Sequence, residues 1–307
     1  MSAEEVKAPP KGFMGNALGF LGTYSELLLR LTVRRLIWAV AAVTLTLLYV
    51  NSKEPSRPAN LSQLREFARL LTPAGETFEG NNIAGAHGTM VIVHGMRDGW
   101  VPREGDGPHW TTGIFNAVRE RTGVQAPQMI VVDWHELSRP SDALPGTDLF
   151  PQFRIIEDVA GIKPQAQEIG GFLGMRLIRL IEEGVIARDK PLHLIGHSAG
   201  GFVGSRAAIV MDAMKRAPEK LHVTILDTPF PGREITHLLP KICRAEFYAS
   251  SSYVNVEKEN VDPQLHFVRL KIPDLTSFNE EHSYAWFSYR EHILKEGFDR
   301  SPFAPKQ

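Results

Sequence analysis

The stretch from Leu192 to about residue 216 constrains this 307-residue chain more than any other. It opens with a short apolar run, Leu192-His-Leu-Ile195, and passes directly into Gly196-His197-Ser198-Ala199-Gly200. An apolar-periodic segment, 199–216, follows without a linker. Such an order predicts a buried strand, a very tight turn and a helix. Bulky side chains two positions either side of Ser198 would collide in that turn. Gly196 and Gly200 relieve the collision, and Gly201 adds room.

The same alternation extends along the chain. Thr89-Met-Val-Ile-Val93, Gln128-Met-Ile-Val-Val132 and Leu221 to Leu226 read as further strands. Helices are predicted over about 110–121 and 164–183, with a closing helix from Tyr284 to Glu296 and a short one from Leu61 to Leu71, ended by Pro73. Arg244 to Ser250 and Leu265 to Ile272 are strand candidates, and Asp133 to Arg154, with three prolines, reads as irregular. Apolar strands alternating with helices imply an α/β fold: a mostly parallel central sheet flanked by helices. At this length a full core forms without disulfide staples, and the single Cys243 permits none within the chain. With 43% hydrophobic and 22% charged residues, the chain is neither disordered nor collagen-like. A net charge of −1 offers no footprint for nucleic acid.

Residues 36–52 carry no charged side chain, and most are strongly apolar. With Arg34 and Arg35 snorkelling, a span over 33–52 is feasible, and Trp38 and Tyr49 sit where interfacial aromatics would. We read 36–52 as a single-pass transmembrane anchor; a signal peptide and a buried or partner-facing helix are the alternatives. Arg30, Arg34 and Arg35 against Lys53 lean the N-terminus toward the cytoplasm, although over fifteen residues each way Arg57 and Arg65 level the count. The expected organisation is therefore a basic, apolar segment at 1–35, the anchor at 36–52, a proline-containing linker at 53–60 and a catalytic domain at 61–307. Residues 1–50 also offer a surface for partners in a membrane complex.

The turn around Ser198 fits G-x-S-x-G in the strand–turn–helix setting that projects a serine above the carboxyl edge of a sheet. A serine hydroxyl is a poor nucleophile at neutral pH and needs a base within reach, itself oriented by an acid. In this setting the chain order is serine, acid, histidine. Asp227 directly follows the strand Leu221–Leu226; Glu257, Asp262 and Asp274 are later competitors. Among the following histidines, His237 is close in sequence, His266 lies in a strand pattern and His292 in the last helix. His282 sits in a polar loop, Asn279-Glu-Glu-His282, beside the aromatic run Ser283-Tyr-Ala-Trp-Phe287, and is the candidate base. His87, His109 and His135 show no metal-ligand spacing, and neither metal nor organic cofactor is expected. Trp100, Trp110, Trp134, Phe150, Phe153 and Phe230 follow strands and are candidates to line an acyl site or the core.

Five stretches resemble the lipase-type α/β-hydrolases, and especially their pancreatic-lipase-like branch. They are Val91-Ile-Val-His94-Gly95, Val131-Val-Asp133-Trp134, Ile195-Gly-His-Ser198-Ala-Gly, Ile225-Leu-Asp227 and His282-Ser-Tyr, in family order across about 88–290. The resemblance implies an α/β-hydrolase fold and favours Asp227 as the acid. It also implies that the backbone N–H groups of Met96 and Ala199 form the oxyanion hole, with His94 shaping its loop and Asp133 structural. The expected activity is hydrolysis of carboxylic esters of lipid-like type through an acyl-enzyme. The alternative is a non-catalytic subunit of the same fold that joins a membrane complex.

Overall fold

The computed structural model describes residues 68–78, 87–96, 109–134, 151–272 and 278–295. The predicted anchor, the linker and most of the predicted helix at 61–71 lie outside them. Among the described residues no helix is long and apolar enough to cross a membrane.

Among the described residues seven strands form one sheet: β1 Arg69–Leu71, β2 Thr89–Val93, β3 Gln128–Asp133, β4 Leu192–His197, β5 Leu221–Leu226, β6 Arg244–Ala249 and β7 His266–Arg269. Their spatial order is β1-β3-β2-β4-β5-β6-β7, parallel throughout except for β1, which pairs antiparallel with β3. The helices are α1 Trp110–Thr122, α2 Pro151–Glu182, α3 Gly200–Ala213, α4 Leu239–Ile242 and α5 Phe278–Lys295. This is an α/β fold with a mostly parallel sheet flanked by helices.

Strand alternation sends side chains to two cores. Val91, Val93, Ile130, Val132, Leu194 and Val223 pack with α2 and α3 through Leu173, Leu177, Phe202 and Val203. Met90, Ile92, Val131, Ile195 and Leu226 pack with α1 and α5 through Ile114, Val118, Ala285 and Tyr289. Burial on both faces explains why β2, β4 and β5 read as unbroken apolar runs. Helices α2 and α3 approach backbone to backbone. A Cβ on Gly170 would lie 2.6 Å from Cβ of Arg206, and one on Gly174 would lie 2.8 Å from the carbonyl of Ala207.

Three expectations are corrected. Arg69–Leu71 is an edge strand rather than the end of a helix, because pairing with β3 and an ion pair from Arg69 to Asp133 (2.5 Å) override the local helical spacing. Helix α2 begins at Pro151, within the stretch expected to be irregular, and contains Pro164 in its interior. Proline is best tolerated in a first turn, and here Pro151 holds that place; Pro164 forgoes one ladder bond mid-helix. Helix α5 begins at Phe278, so His282 lies on a helix rather than in a loop. Glu280 and Glu281 occupy its first turn, where the helix dipole favours negative charge.

Candidate active site

The chain leaves β2 for β3 on one side and later places β4 on the other, so the carboxyl ends of β2 and β4 border a topological switch point. In open α/β sheets ligands bind at such a crevice. Ser198 stands there, one residue past β4. Its backbone adopts φ 53°, a left-handed conformation that costs a non-glycine residue about 1–3 kcal/mol and marks functional turns. The strain is held by two bonds: Ser198 N–H donates to the Leu226 carbonyl (2.8 Å), and Thr228 Oγ1 donates to the Ser198 carbonyl (2.7 Å). A Cβ on Gly196 would lie 2.7 Å from Gly201 Cα, and one on Gly200 would overlap the backbone carbonyls of Val93 and His94. A Cβ on Gly201 would overlap the Thr228 hydroxyl. Only hydrogen fits at these three positions.

The His94-Gly95-Met96 turn closes on the serine. A Cβ on Gly95 would lie 2.8 Å from Cβ of Ser198 and 3.4 Å from its Oγ. The turn is pinned from behind. His94 Nδ1 donates to the Gly95 carbonyl (2.8 Å), Trp134 N–H donates to His94 Nε2 (3.1 Å), and the Trp134 indole donates to the His94 carbonyl (2.9 Å). Met96 and the buried Ala199 therefore flank Ser198 from two turns.

Asp227 follows β5 and is fully buried, with φ 50°. Its N–H donates to the Tyr248 carbonyl (2.8 Å). Oδ1 accepts from the backbone N–H groups of Ser250 (2.6 Å) and Ser251 (2.8 Å), just past β6. Oδ2 accepts from His282 Nδ1 at 2.6 Å. That bond puts the ring proton on Nδ1 and leaves Nε2 as the basic nitrogen. Burial pushes the Asp227 carboxyl up, but the hydrogen bond and charge of His282, with the bonds from Ser251, outweigh it and hold the group below the usual carboxylate range.

The rival candidates among the described residues sit elsewhere. Glu257 is exposed, Asp262 lies 3.8 Å from Lys241, and Asp274 is outside the described residues. His237 bonds its neighbour Thr236 (2.7 Å), His266 is on β7, and His292 is ten residues further along α5. Trp134 and Trp110 are buried against histidines in the core, whereas Phe230 is half-exposed with φ 47° in the turn after Asp227. Trp100 and Phe150 are outside the described residues. Sequence reasoning missed the Ser250 and Ser251 amides, the Thr228 strap and His197. A threonine directly after a strand-end aspartate was the one local hint.

A second group lies beneath the first. His193, four residues before His197 on β4, stacks on His222 of β5 (centroids 4.2 Å, 9° between planes), and its Nε2 bonds the Thr224 hydroxyl (2.8 Å). Buried Glu246 of β6 lies 3.4 Å from Arg244, 3.4 Å from the Tyr248 hydroxyl and 3.6 Å from His222. Burial, reinforced by the charge of Arg244, pushes His222 down to about 3. Burial, reinforced by His222, holds His193 well below the ordinary histidine range.

Between β1 and α2 a cavity of about 600 Å³ is lined by Leu70, Phe78, Phe172 and Arg176 among others, and none of Ser198, Asp227 and His282 borders it. Among the described residues no group of three or more His, Cys, Asp or Glu side chains could hold a metal ion.

No protein-family model and no curated protein sequence matches this chain. Similar solved structures include YbtT, the type II thioesterase from the yersiniabactin NRPS/PKS biosynthetic pathway, at 14% identity and TM-score 0.33, over 70% of this chain and 92% of that one. The NocB thioesterase domain from the nocardicin cluster is similar at 10% identity and TM-score 0.34, over 76% of this chain and 96% of that one.

Proposed function

We propose that this chain is a serine hydrolase that cleaves carboxylic esters through an acyl-enzyme. The observation that carries this reading is the 2.6 Å bond from His282 to a buried Asp227, on the strand turn next to that of Ser198. Ser198 Oγ attacks the ester carbonyl carbon while His282 Nε2 takes the hydroxyl proton. Asp227 keeps the proton on Nδ1 and stabilises the imidazolium. The developing alkoxide is held by the N–H groups of Met96 and Ala199. Collapse expels the alcohol, which receives the proton from Nε2. Water, deprotonated by the same nitrogen, then attacks the acyl-serine; the acid leaves and Ser198 regains its proton. No cofactor enters either half of the cycle.

Lipid-like esters are the proposed substrates. The lipase-like order of motifs supports this, and so does the charge-free run at 36–52, read as an anchor that holds the catalytic domain at a bilayer where such esters concentrate. A fluorophosphonate probe on the full chain tests the chemistry. The expected result is one adduct per molecule on Ser198, absent in Ser198→Ala. A folded wild-type protein that takes no adduct is instead a non-catalytic subunit. Turnover of p-nitrophenyl esters is expected to rise with acyl length, and preference for acetate would exclude the lipid-like class. Release of intact protein from membranes by mild salt would remove the anchor.

A further inference from the structure

We infer that His197, the residue between Gly196 and the nucleophile, is a positioning residue that braces the base. This rests on the roles proposed for Ser198, Asp227 and His282. His197 is the last residue of β4 and points, like His193 and Ile195, to the face covered by α1 and α5. Its ring lies against that of His282, centroids 4.6 Å apart and planes 39° apart. Its Nε2–H donates to the backbone carbonyl of the same residue at 3.1 Å. Behind it, Trp110 of α1 meets the His197 ring edge-on at 5.4 Å and stacks on Trp286 of α5 at 6.3 Å. His197 and Trp110 are each 7% exposed, so little room remains for either ring to turn away.

The need for such a brace follows from how the base is carried. His282 reaches the site from α5, 55 residues beyond Asp227, and the Asp227 bond fixes one atom of its ring. A bond at Nδ1 does not by itself set the angle of the ring about that nitrogen or the height of the backbone that carries it. The His197 ring limits that angle from one face. Its hydrogen bond to the His282 carbonyl, which has a second lone pair beyond the one used in the helix ladder, limits that height. Because His197 and Ser198 are consecutive, a shift of the strand end carries nucleophile and brace together. The distance that matters for proton transfer, serine to base, is thereby referred to a single peptide unit.

Three variants separate the two contacts: His197→Phe keeps a ring and loses the donor, His197→Gln keeps a donor and loses the ring, and His197→Ala loses both. With a soluble p-nitrophenyl ester, kcat is expected to fall by about 100-fold in the alanine variant, the cost of a misplacement of about 1 Å. KM should stay within about twofold, and the glutamine and phenylalanine variants should fall between, each rescuing part of the loss. The fluorophosphonate inactivation rate should drop in parallel. Nitrogen-15 NMR of wild-type histidines needs no variant: His197 should be the Nε2–H tautomer with a slowly exchanging proton. An Nδ1–H tautomer, an unchanged kcat in the folded alanine variant, or a loss carried wholly by KM overturns the inference. A wild-type protein that takes no adduct overturns the function proposal itself, and the brace with it.

Discussion

Two groups of histidine and carboxylate share β4, four residues apart, and differ in how their carboxylates are held. Asp227 accepts bonds of 2.6, 2.6 and 2.8 Å, two of them from backbone N–H groups. Among the described residues, Glu246 meets the side chains of Tyr248, Arg244 and His222 at 3.4, 3.4 and 3.6 Å. The reason is position along the strands. In mid-sheet every backbone N–H is committed to the ladder, so a carboxylate there must draw on other side chains. Past the strand ends the N–H groups of Ser250 and Ser251 have no ladder partner and can converge on one oxygen. A carboxylate so held stays ionised and keeps its histidine in one tautomer. In the mid-sheet group burial holds His193 and His222 as neutral rings.

Substitutions that exchange the properties of the two groups put this contrast at risk. The largest effect is expected for Asp227→Asn, which reverses the tautomer preference of His282. Its kcat should fall by about 10⁴-fold with the fold intact, as for the equivalent change in known serine–histidine–aspartate triads. His222→Leu, at the matching place in the lower group, should leave kcat within about threefold. A severe kcat loss there would join the two groups into one device. Next comes Arg269→Met. The Arg269 guanidinium donates to the carbonyls of Ser251 (3.1 Å), Val254 (2.6 Å) and Val256 (2.9 Å), holding the loop that delivers the Ser250 and Ser251 amides. Losing it should cost about 2 kcal/mol in urea unfolding, with kcat falling about tenfold as the Asp227 bonds loosen. Unchanged kcat would show that these amides hold Asp227 without the guanidinium.

The effect with the least bearing on kcat concerns pH. His222 is neutral when folded down to about pH 3, whereas an exposed histidine binds its proton near 6.5. Between those values the unfolded chain holds more protons, so stability falls as pH drops through that window, by on the order of a few kcal/mol. In His222→Leu, thermal melts between pH 6.5 and 4 should be flatter than in wild type. Asp227 acts lower: its depressed carboxyl gives stability that is present above the ordinary value of 3.8 and is lost as pH falls below it. Identical pH slopes for wild type and His222→Leu would show that the lower histidines are not buried as neutral rings.

Much of this was legible in the residues. Strands β2, β4 and β5 announce themselves because both faces are buried, and Ile225-Leu-Asp227 places the proposed acid at a strand end. The helix under His282 was harder, since its polar first turn resembles a loop. Ser277-Phe-Asn-Glu280 has capping-box spacing, which was the available signal. The start of α2 was masked by prolines. The amides of Ser250 and Ser251 could not be read at all, because every residue but proline carries the same N–H and only the fold aims it. His197 was hidden for a related reason: its partner lies 85 residues away.

Thr228 ties the turn of Ser198 to that of Asp227, and Ser198 N–H returns to Leu226. Ser198 and Asp227, the proposed nucleophile and acid, are thus set in a single knot of adjacent turns, while His282, the proposed base, is carried on a separate helix. On the proposed roles, a change that loosens α5 from the sheet moves the base away from the serine while leaving the turns of Ser198 and Asp227 in place.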